Sequence, residues 1–457
     1  MRKVNVGDVI DNSRINGWYA SLWGLGALAI IFDSYDTQAY GVALPVMSKD
    51  LALAPATLGF LASLSMWSSG LGSMLMGVLA DRLGAKNVLI AGIVVYTTFT
   101  GLCGVVTDIG TFAVLRFISG FGLAAMTPIV SSILSEYSPK KIRSQVVANV
   151  CLGFTLGQLI AIGAGIVLLV ALSWRIMYLL AFPPILLAIW AYFKVPDSMA
   201  RYQRRGDTNK IRSVLQRVSP DFHPQTDDVY EVSPVNRQRV SIAQTLPRMF
   251  APALRRQTSL IWIIYFCNGY LLVLIQWLPI LQVTKGASLT ASLAATLVYA
   301  GFAGVAMPLS SWLVDHFGFR RPLIVSYVGT ALMMLLFTVK MDNTLYLVFL
   351  AFAGLALGPQ QPLTNAFCTQ NFPLSIRNSG IGISLVMSRL AAAVAPILIG
   401  LLLTIGSPDL VFLHFIPFAV VGGLAYLATR PIPDFSSETF SLGVAQAEAA
   451  AVELSPA

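Results

Sequence analysis

Two carboxylates lie in an otherwise apolar stretch near the start of the chain, on one side of a predicted helix. Asp33, Asp36 and Tyr40 are spaced three and four residues apart, which aligns them along a single helical stripe. A carboxylate near mid-membrane costs about 2.5–3.5 kcal/mol to insert, so two on one face must look into a protein or water-filled interior. Low dielectric and like charge both favour the neutral form of a carboxylate. The pair therefore predicts reversible protonation, and a permanently salt-bridged structural role stays open for one aspartate.

Two arginines also fall inside apolar stretches and balance the aspartates in number. Arg116 and Asp36 lie roughly 10 Å and 17 Å from the outer ends of their predicted helices, so we expect them to pair and Arg116 to tune the protonation of Asp36. Arg389 lies roughly 16 Å from the inner end of its helix, near the midplane, with no acid in that helix. Its planar fork suits a substrate carboxylate. Pairing with an aspartate of the other half is the alternative.

Charged loops and prolines recur at one constant offset of 234 residues, which indicates a duplicated architecture. The repeat pairs Asp81, Gly84, Lys86, Pro128 and Arg143 with Asp315, Gly318, Arg320, Pro362 and Arg377. Two parallel, duplicated helix bundles are the architecture of a secondary transporter. The two halves share their loops but not the charges within their spans, so the unshared residues Asp33, Asp36, Arg116 and Arg389 are the expected functional ones.

Twelve long apolar stretches with few charges can each form a helix that crosses the ~30 Å hydrocarbon layer. A chain of 457 residues with 56% hydrophobic and 11% charged residues is not a soluble protein. The predicted fold is an all-α membrane protein with twelve transmembrane helices in two pseudo-symmetric six-helix bundles. The stretches are 17–47, 56–80, 87–107, 109–135, 144–173, 176–193, 257–284, 286–314, 322–339, 343–375, 378–407 and 410–429.

The polar segments divide the chain into four expected parts. They are an N-terminal bundle (1–193), a cytoplasmic linker (194–256), a C-terminal bundle (257–430) and a cytoplasmic tail (431–457). The linker contains a predicted short amphipathic helix near 207–218. The composition of the tail predicts frayed or disordered structure.

The distribution of basic residues predicts the orientation. Lysine and arginine are concentrated on the side that holds both termini, whereas the opposite side carries Lys49, Arg175, Lys285 and Lys340. By the positive-inside rule both termini are cytoplasmic, in a cell (inner) membrane. The net charge of +9 is then a topology signal and does not indicate nucleic-acid binding. The four cysteines lie in predicted spans and are expected as packing residues rather than as disulfide or metal ligands. A monomer is expected.

The segment from Gly77 to Lys86 resembles the signature G-x-x-x-D-R-x-G-x-K/R of the major facilitator superfamily. Glu136 and Arg143 resemble the charged elements that latch the two bundles together in that superfamily. The resemblance implies the MFS fold, alternating access and cytoplasmic charge clusters that re-sort as the bundles rock. The residues implied in these clusters are Asp81, Arg82, Lys86, Arg143, Asp315, Arg320 and Arg377.

The stretch Asp33-Ser34-Tyr35-Asp36 resembles the D-G-x-D motif of the aromatic acid:proton symporters, with Ser34 in place of the glycine. Helix packing or substrate shape is therefore expected to differ at Ser34. The resemblance implies a benzoate-type acid as substrate, with Arg389 binding its carboxylate. It implies Asp33, Asp36, Arg116 and Glu136 for proton coupling. Candidates for the ring and its hydroxyl groups are Tyr40, Trp67, Tyr265, Tyr270, Gln276, Trp277, Gln360, Gln361 and Asn365.

The favoured function is a proton-coupled importer of a small organic carboxylate, with protons, the substrate anion and the lipid bilayer as partners. A proton-coupled efflux antiporter or a sugar or polyol transporter of the same fold is the alternative. The antiporter pattern G-P-x-x-G-G is missing, because no proline lies among the glycines of the fifth span (Gly153 to Gly165). A ligand-sensing receptor is disfavoured because 194–256 is short for a signalling domain. No metal-ligand spacing or nucleophile–base motif indicates an enzyme, and no cofactor is expected.

Overall fold

The computed structural model describes residues 3–225, 228–231, 242–252, 254–372 and 377–429. Within these residues the chain is almost entirely helical, with two short strands. The strands are β1 (Lys3–Asn5) and β2 (Val229–Glu231). The helices are α1 (Val6–Asp11), α2 (Gly17–Asp50), α3 (Pro55–Leu83), α4 (Ala85–Cys103), α5 (Ile109–Tyr137), α6 (Arg143–Cys151), α7 (Gly153–Ala171), α8 (Arg175–Leu179), α9 (Ile185–Lys194), α10 (Met199–Arg204), α11 (Thr208–Val218), α12 (Ile242–Met249), α13 (Arg255–Leu272), α14 (Leu274–Thr284), α15 (Leu289–Phe317), α16 (Arg320–Leu336), α17 (Asn343–Leu357), α18 (Gln360–Asn371), α19 (Arg377–Ile405) and α20 (Pro408–Ala428).

Each of the twelve predicted apolar stretches is helical over most of its described length. Among the described residues, eight helical stretches are long and apolar enough to cross a membrane by length and composition: Ala85–Cys103, Ile109–Tyr137, Gly153–Ala171, Arg255–Thr284, Leu289–Ser310, Asn343–Thr369, Gly380–Ile405 and Pro408–Ala428. The other four predicted stretches do not meet this criterion, for reasons that their sequences show. Aspartates and serines dilute the hydropathy of α2 and α3, Pro183 and Pro184 separate α8 from α9, and α16 has 17 residues. The count of twelve spans stays a prediction that these helices are consistent with.

The chain divides into two compact units. Unit 1 comprises Met1–Arg237 with Leu278–Ala294, and unit 2 comprises Gln238–Trp277 with Ala295–Ala457. In unit 1 the most extensive packing joins α2 to α7 and α5 to both α3 and α4. In unit 2 it joins α13 to α19 and α20, and α16 to α20. These pairs position the charged side chains described below.

Helix starts follow from side-chain caps in the sequence. The Asn16 side chain accepts hydrogen bonds from the backbone N–H groups of Trp18 and Tyr19 at the start of α2. The Asp108 carboxylate accepts from the Thr111 N–H at 2.7 Å at the start of α5. This backbone hydrogen bond lowers the pKa of Asp108. Both caps fix where a long apolar helix begins.

The first part of the segment predicted as a linker, as far as β2, belongs to unit 1 and pairs with β1, whereas α12 belongs to unit 2 and packs on α19. Strand β1 runs parallel to β2, with Lys3 opposite Val229. The Lys3 Nζ lies 2.8 Å from Glu231, and that hydrogen bond raises the pKa of Lys3. The predicted amphipathic helix is present as α11, whose buried face includes Leu215. The sequence did not predict α1 or the strand pair. The predicted tail, 431–457, lies outside the described residues.

Candidate functional site

The predicted pair of Asp36 and Arg116 is present inside unit 1. The Nη1 atom of Arg116 donates to both carboxylate oxygens of Asp36, at 3.0 and 3.1 Å. Both residues are 2% exposed. Helix α2 supplies the aspartate and α5 the arginine, and the two helices pack directly against each other. A buried ion pair of this kind is strongly coupled: removing one partner leaves an uncompensated charge.

Two tyrosine rings surround the arginine. The Arg116 Cζ lies 5.6 Å from the ring centroid of Tyr40 and 5.8 Å from that of Tyr178, distances at which a ring face attracts a cation. Tyr40 is 2% exposed and its hydroxyl donates to the Leu58 carbonyl at 2.6 Å. Tyr40 is therefore an immediate neighbour of the ion pair. Sequence reasoning missed Tyr178, whose signal is an aromatic residue beside Arg175 in the sixth stretch.

Asp33 has different surroundings from Asp36, although it lies one helical turn away. Its side chain is half-buried, and Oδ2 accepts a hydrogen bond from the Thr127 hydroxyl at 2.8 Å. Thr127 comes from α5, one residue before Pro128. The two carboxylates thus differ in exposure and in hydrogen-bond partner.

Ser34, which replaces the glycine of the motif, is accommodated by close packing of α2 on α7. Its hydroxyl donates to the Phe154 carbonyl at 2.5 Å. A Cβ at Gly157 would lie 2.8 Å from the Cβ of Ser34 and would clash with the Ile31 carbonyl. The glycine that the two helices need at their crossing is therefore on α7. The expected difference from the family in helix packing or substrate shape at Ser34 stays a prediction.

Glu136 lies at the opposite end of α5, roughly 30 Å from Arg116 along the helix. Its Oε1 accepts hydrogen bonds from the Ser198 hydroxyl at 2.9 Å and the Met199 N–H at 2.8 Å. The structure therefore places Asp33, Asp36 and Arg116 in one region of unit 1, whereas the carboxylate of Glu136, at the other end of α5, contacts the start of α10.

The signature loop, which joins α3 to α4 within the segment Gly77 to Lys86, forms a tight turn. It contacts the polar segment that follows α9. Gly84 has φ +94°, and the guanidinium of Arg201 donates to the Leu83 carbonyl beside it. Arg201 also pairs with Asp197 at 2.6 Å. Lys86 donates to the Tyr192 carbonyl at 2.6 Å.

The other predicted charge-cluster residues have these positions. Arg143 pairs with Asp11 and donates to the Ser138 carbonyl at 3.1 Å. Arg320 donates to the Leu427 carbonyl at 3.1 Å. Arg82 and Asp315 are exposed. The side chains of Asp81 and Arg377 lie outside the described part of the structure.

Arg389 occupies the middle of α19 in unit 2 and is exposed. It makes no hydrogen bond and no ion pair within the described residues. Its neighbour Ser388 packs directly onto Gly269 of α13, where no Cβ would fit. An exposed arginine in the middle of an apolar span belongs at a water-filled cavity or a bound anion, because lipid would not solvate it.

Tyr270 pairs with a histidine that sequence reasoning missed. Its hydroxyl lies 2.9 Å from Nε2 of His414, and its ring stacks on Phe418 at 3.8 Å between centroids. The His414 Nδ1 lies 2.5 Å from the Val411 carbonyl, so Nδ1 donates there and Nε2 accepts from Tyr270. In the repeat, Tyr270 corresponds to Asp36. The signal that could have found His414 is a histidine inside the apolar stretch 410–429.

A polar network of unit 2 contains two of the predicted amide residues. The Asn365 Oδ1 accepts hydrogen bonds from the Tyr265 hydroxyl at 2.8 Å and from Gln361 Nε2 at 3.2 Å. Gln360 instead donates to the Thr330 hydroxyl at 3.0 Å.

The remaining ring and hydroxyl candidates are Gln276, Trp277 and Trp67. Gln276 and Trp277 are 7% and 0% exposed, and Trp67, on α3 of unit 1, is 38% exposed.

Comparison with known proteins identifies the class to which this fold belongs. The profile of the Major Facilitator Superfamily matches residues 26–306 and 287–451. A solved structure with a similar fold is the D-xylose-proton symporter, with a TM-score of 0.70, 16% identity, and coverage of 92% of this chain and 99% of that one. The chain belongs to the Major Facilitator Superfamily; it is a multi-pass membrane transport protein and not an enzyme.

Within this superfamily, the chain is similar to transport proteins named for aromatic acids. The benzoate transport protein of Acinetobacter baylyi is 27% identical over 443 residues, covering 95% of this chain and 93% of that protein. The gallate transporter of Pseudomonas putida is 26% identical, covering 88% and 90%. The gentisate transporter of Corynebacterium glutamicum is 28% identical, covering 83% and 80%. All three are similar to this chain over most of their length.

Proposed function

We propose that this protein imports a small aromatic carboxylate together with protons, by alternating access. The observation that carries the proposal is Arg389, an exposed guanidinium in the middle of α19 without a hydrogen bond or ion pair in the described residues. Its fork can bind a carboxylate through two parallel hydrogen bonds. The names of the relatives, which include transporters of benzoate, gallate and gentisate, support an aromatic acid as the substrate class.

Proton coupling is proposed for unit 1. Protonating Asp36 would remove the negative partner of Arg116 and free the guanidinium to reorient. Asp33 is the more exposed carboxylate and is proposed to exchange protons with water. Since the pair is held inside a bundle of packed helices, its opening and closing would be a two-state event that a proton can bias.

Residues of unit 2 are proposed to form hydrogen bonds with hydroxyl groups on the aromatic ring of the substrate. Asn365 already accepts from Tyr265 and Gln361, and its amide nitrogen and the tyrosine oxygen retain capacity for further hydrogen bonds. A site that hydrogen-bonds a substrate hydroxyl discriminates strongly against an analogue that lacks it. Gallate and gentisate, which the relatives are named for, are hydroxylated acids.

The cytoplasmic charge clusters are proposed to switch between the two access states. The hydrogen bonds of Arg201 to the Leu83 carbonyl and of the Ser198 hydroxyl to Glu136 tie the polar segment after α9 to the helices of unit 1, and Arg143 pairs with Asp11 of α1. We further propose a monomer in the cell (inner) membrane with both termini in the cytoplasm, as the basic residues indicate.

A sugar transporter is the runner-up because the solved D-xylose-proton symporter shares the fold. An intramembrane arginine that has no ion pair among the described residues favours an anion over a neutral polyol, since its charge needs a counter-ion. An efflux antiporter would use the same residues but would move substrate against the proton flow.

The deciding experiment measures uptake of labelled benzoate and hydroxybenzoates into proteoliposomes, with and without a pH gradient. We expect accumulation when the outside is acidic, inhibition by competing aromatic acids, and none by xylose. Uptake that ignores the gradient would exclude symport. Accumulation only when the inside is acidic would identify an antiporter.

A further inference from the structure

A basic cavity lies at one end of unit 1, where α2 and α4 begin and α9 ends. Its volume is about 110 Å³. Four cationic side chains line it, and the lining includes no aspartate or glutamate. They are Lys86, Lys194, Lys210 and Arg217. Trp18, Phe193 and Tyr202 complete the wall with aromatic surface. Like charges converge here without an acid among them, which is the arrangement of an anion site.

Little within the described residues neutralises these charges. Neither Lys194 nor Arg217 forms an ion pair with another residue in the described part of the chain. Lys210 is 3.3 Å from Asp207, but this is an exposed contact. Lys86 donates to the Tyr192 carbonyl at 2.6 Å. The carboxylate of Asp197 is close enough to attract the charge of Lys86, but it also pairs with Arg201 at 2.6 Å, so it is shared between two cations. The cavity therefore keeps an excess of positive charge.

The cavity adjoins the part of unit 1 that is expected to face lipid. Helix α9 ends at Lys194, and its last turns expose Phe193 and Tyr192 by 67% and 63%. Further along the same helix Ile189 and Leu186 are exposed by 53% and 65%. Aromatic residues next to lysines at the end of an apolar helix mark the boundary between hydrocarbon and headgroups. A molecule bound in the cavity could thus extend acyl chains along α9.

We propose that this cavity binds the phosphate of an anionic phospholipid headgroup. Its volume of about 110 Å³ is small beside the roughly 300–1,000 Å³ of metabolite sites, so it suits a headgroup phosphate. Basic pockets next to transmembrane helices are a recognised source of headgroup affinity. Because Lys210 and Arg217 come from α11 and Lys194 from α9, one bound headgroup would fasten the polar segment to the membrane-embedded bundle. Free phosphate offers the same chemistry without the acyl chains.

The test uses the purified full-length protein in neutral detergent, with thermal unfolding followed as lipid is added. Phosphatidylglycerol should raise the midpoint saturably, whereas phosphatidylcholine and inorganic phosphate should not. The variant Lys194→Gln/Lys210→Gln/Arg217→Gln should bind phosphatidylglycerol at least about tenfold more weakly, since each basic residue contributes to the attraction. The control Arg204→Gln/Arg205→Gln removes exposed charges from the same segment outside the cavity and should keep the shift.

Native mass spectrometry gives a second readout that does not depend on the triple variant folding. The wild type should retain phosphatidylglycerol under activation that strips phosphatidylcholine, and the single variant Lys194→Gln should retain less. An equal shift with inorganic phosphate alone would overturn the lipid assignment. Equal losses in cavity and control variants, or no phosphatidylglycerol-dependent shift at all, would overturn the site itself.

Discussion

Asp36 and Arg116 are joined through a single guanidinium nitrogen. Nη1 makes both hydrogen bonds, at 3.0 and 3.1 Å, while Nε of Arg116 bonds no described residue. A fork-to-fork pair would use two nitrogens and would be held more rigidly. The observed contact, flanked by the ring of Tyr40, is suited to an ion pair that opens and re-forms during each transport cycle.

Replacing Asp36 with asparagine should abolish accumulation but retain substrate exchange. The amide keeps the shape of the side chain but cannot bind or release a proton, so the coupling is lost. Gradient-driven uptake and counterflow in proteoliposomes separate the two activities. Asp108→Asn is the matched control, because asparagine also caps a helix start well, and transport should be unchanged. Intact gradient-driven uptake in Asp36→Asn would remove Asp36 from the coupling mechanism.

Replacing Arg389 with lysine should weaken the binding of benzoate by about tenfold or more, because lysine keeps the charge but loses the bidentate fork. Binding of benzamide, which has no carboxylate, should be weak in the wild type and change little in the variant. The measurement is competition against labelled substrate by both compounds. Arg205→Lys, on the exposed polar segment, serves as the control. Equal benzoate affinity in wild type and Arg389→Lys would assign Arg389 a structural role.

Gly84→Ala should destabilise the protein more than Gly318→Ala, although the two loops are copies of each other. Both glycines have positive φ, +94° and +70°, so alanine is strained at either position by roughly 1–3 kcal/mol. At Gly84 the new Cβ would in addition displace Arg201 and Asp197, whereas at Gly318 nothing lies within 4 Å. Thermal unfolding of the two variants in detergent compares them directly. Equal midpoints would mean that the clasp on the first loop contributes nothing.

The parts of the fold that follow from local sequence pattern were predictable. Apolar runs predicted the helices. The repeat paired Gly84 with Gly318, and both have the positive φ that glycine adopts most readily. The pairing of Asp36 with Arg116 followed from helix direction and depth. The short strand pair β1–β2 did not, because it joins three-residue segments 226 positions apart and has no local signal in the sequence.

The surroundings of individual side chains were less predictable than their depth. Tyr178 lies beside Arg116, and His414 lies beside Tyr270, because of the way the helices pack. The helical period of the sequence does not specify that packing. Glu136 was grouped with the aspartates through family resemblance, but at its end of α5 its carboxylate accepts hydrogen bonds from Ser198 and Met199 at the start of α10. The accommodation of Ser34 required knowing that Gly157 of α7 crosses α2 at that point.

Gly269→Ala should reduce substrate affinity although residue 269 carries no functional group. Its Cβ would collide with the backbone of Ser388, so α19 must shift where it carries Arg389. Close packing makes such a displacement costly, and a shift of about 1 Å in a positioning group can lower a transport or catalytic rate by roughly a hundredfold. Gly382→Ala is the control on α19 itself, since nothing lies within 4 Å of its Cβ and alanine favours the helix. Binding of labelled benzoate should therefore fall in Gly269→Ala and hold in Gly382→Ala.

Loss of folding in Gly269→Ala would be seen as a lowered unfolding midpoint, whereas a lowered affinity at an unchanged midpoint isolates the positioning of Arg389. Unchanged affinity and midpoint together would show that the crossing of α13 and α19 does not position the arginine.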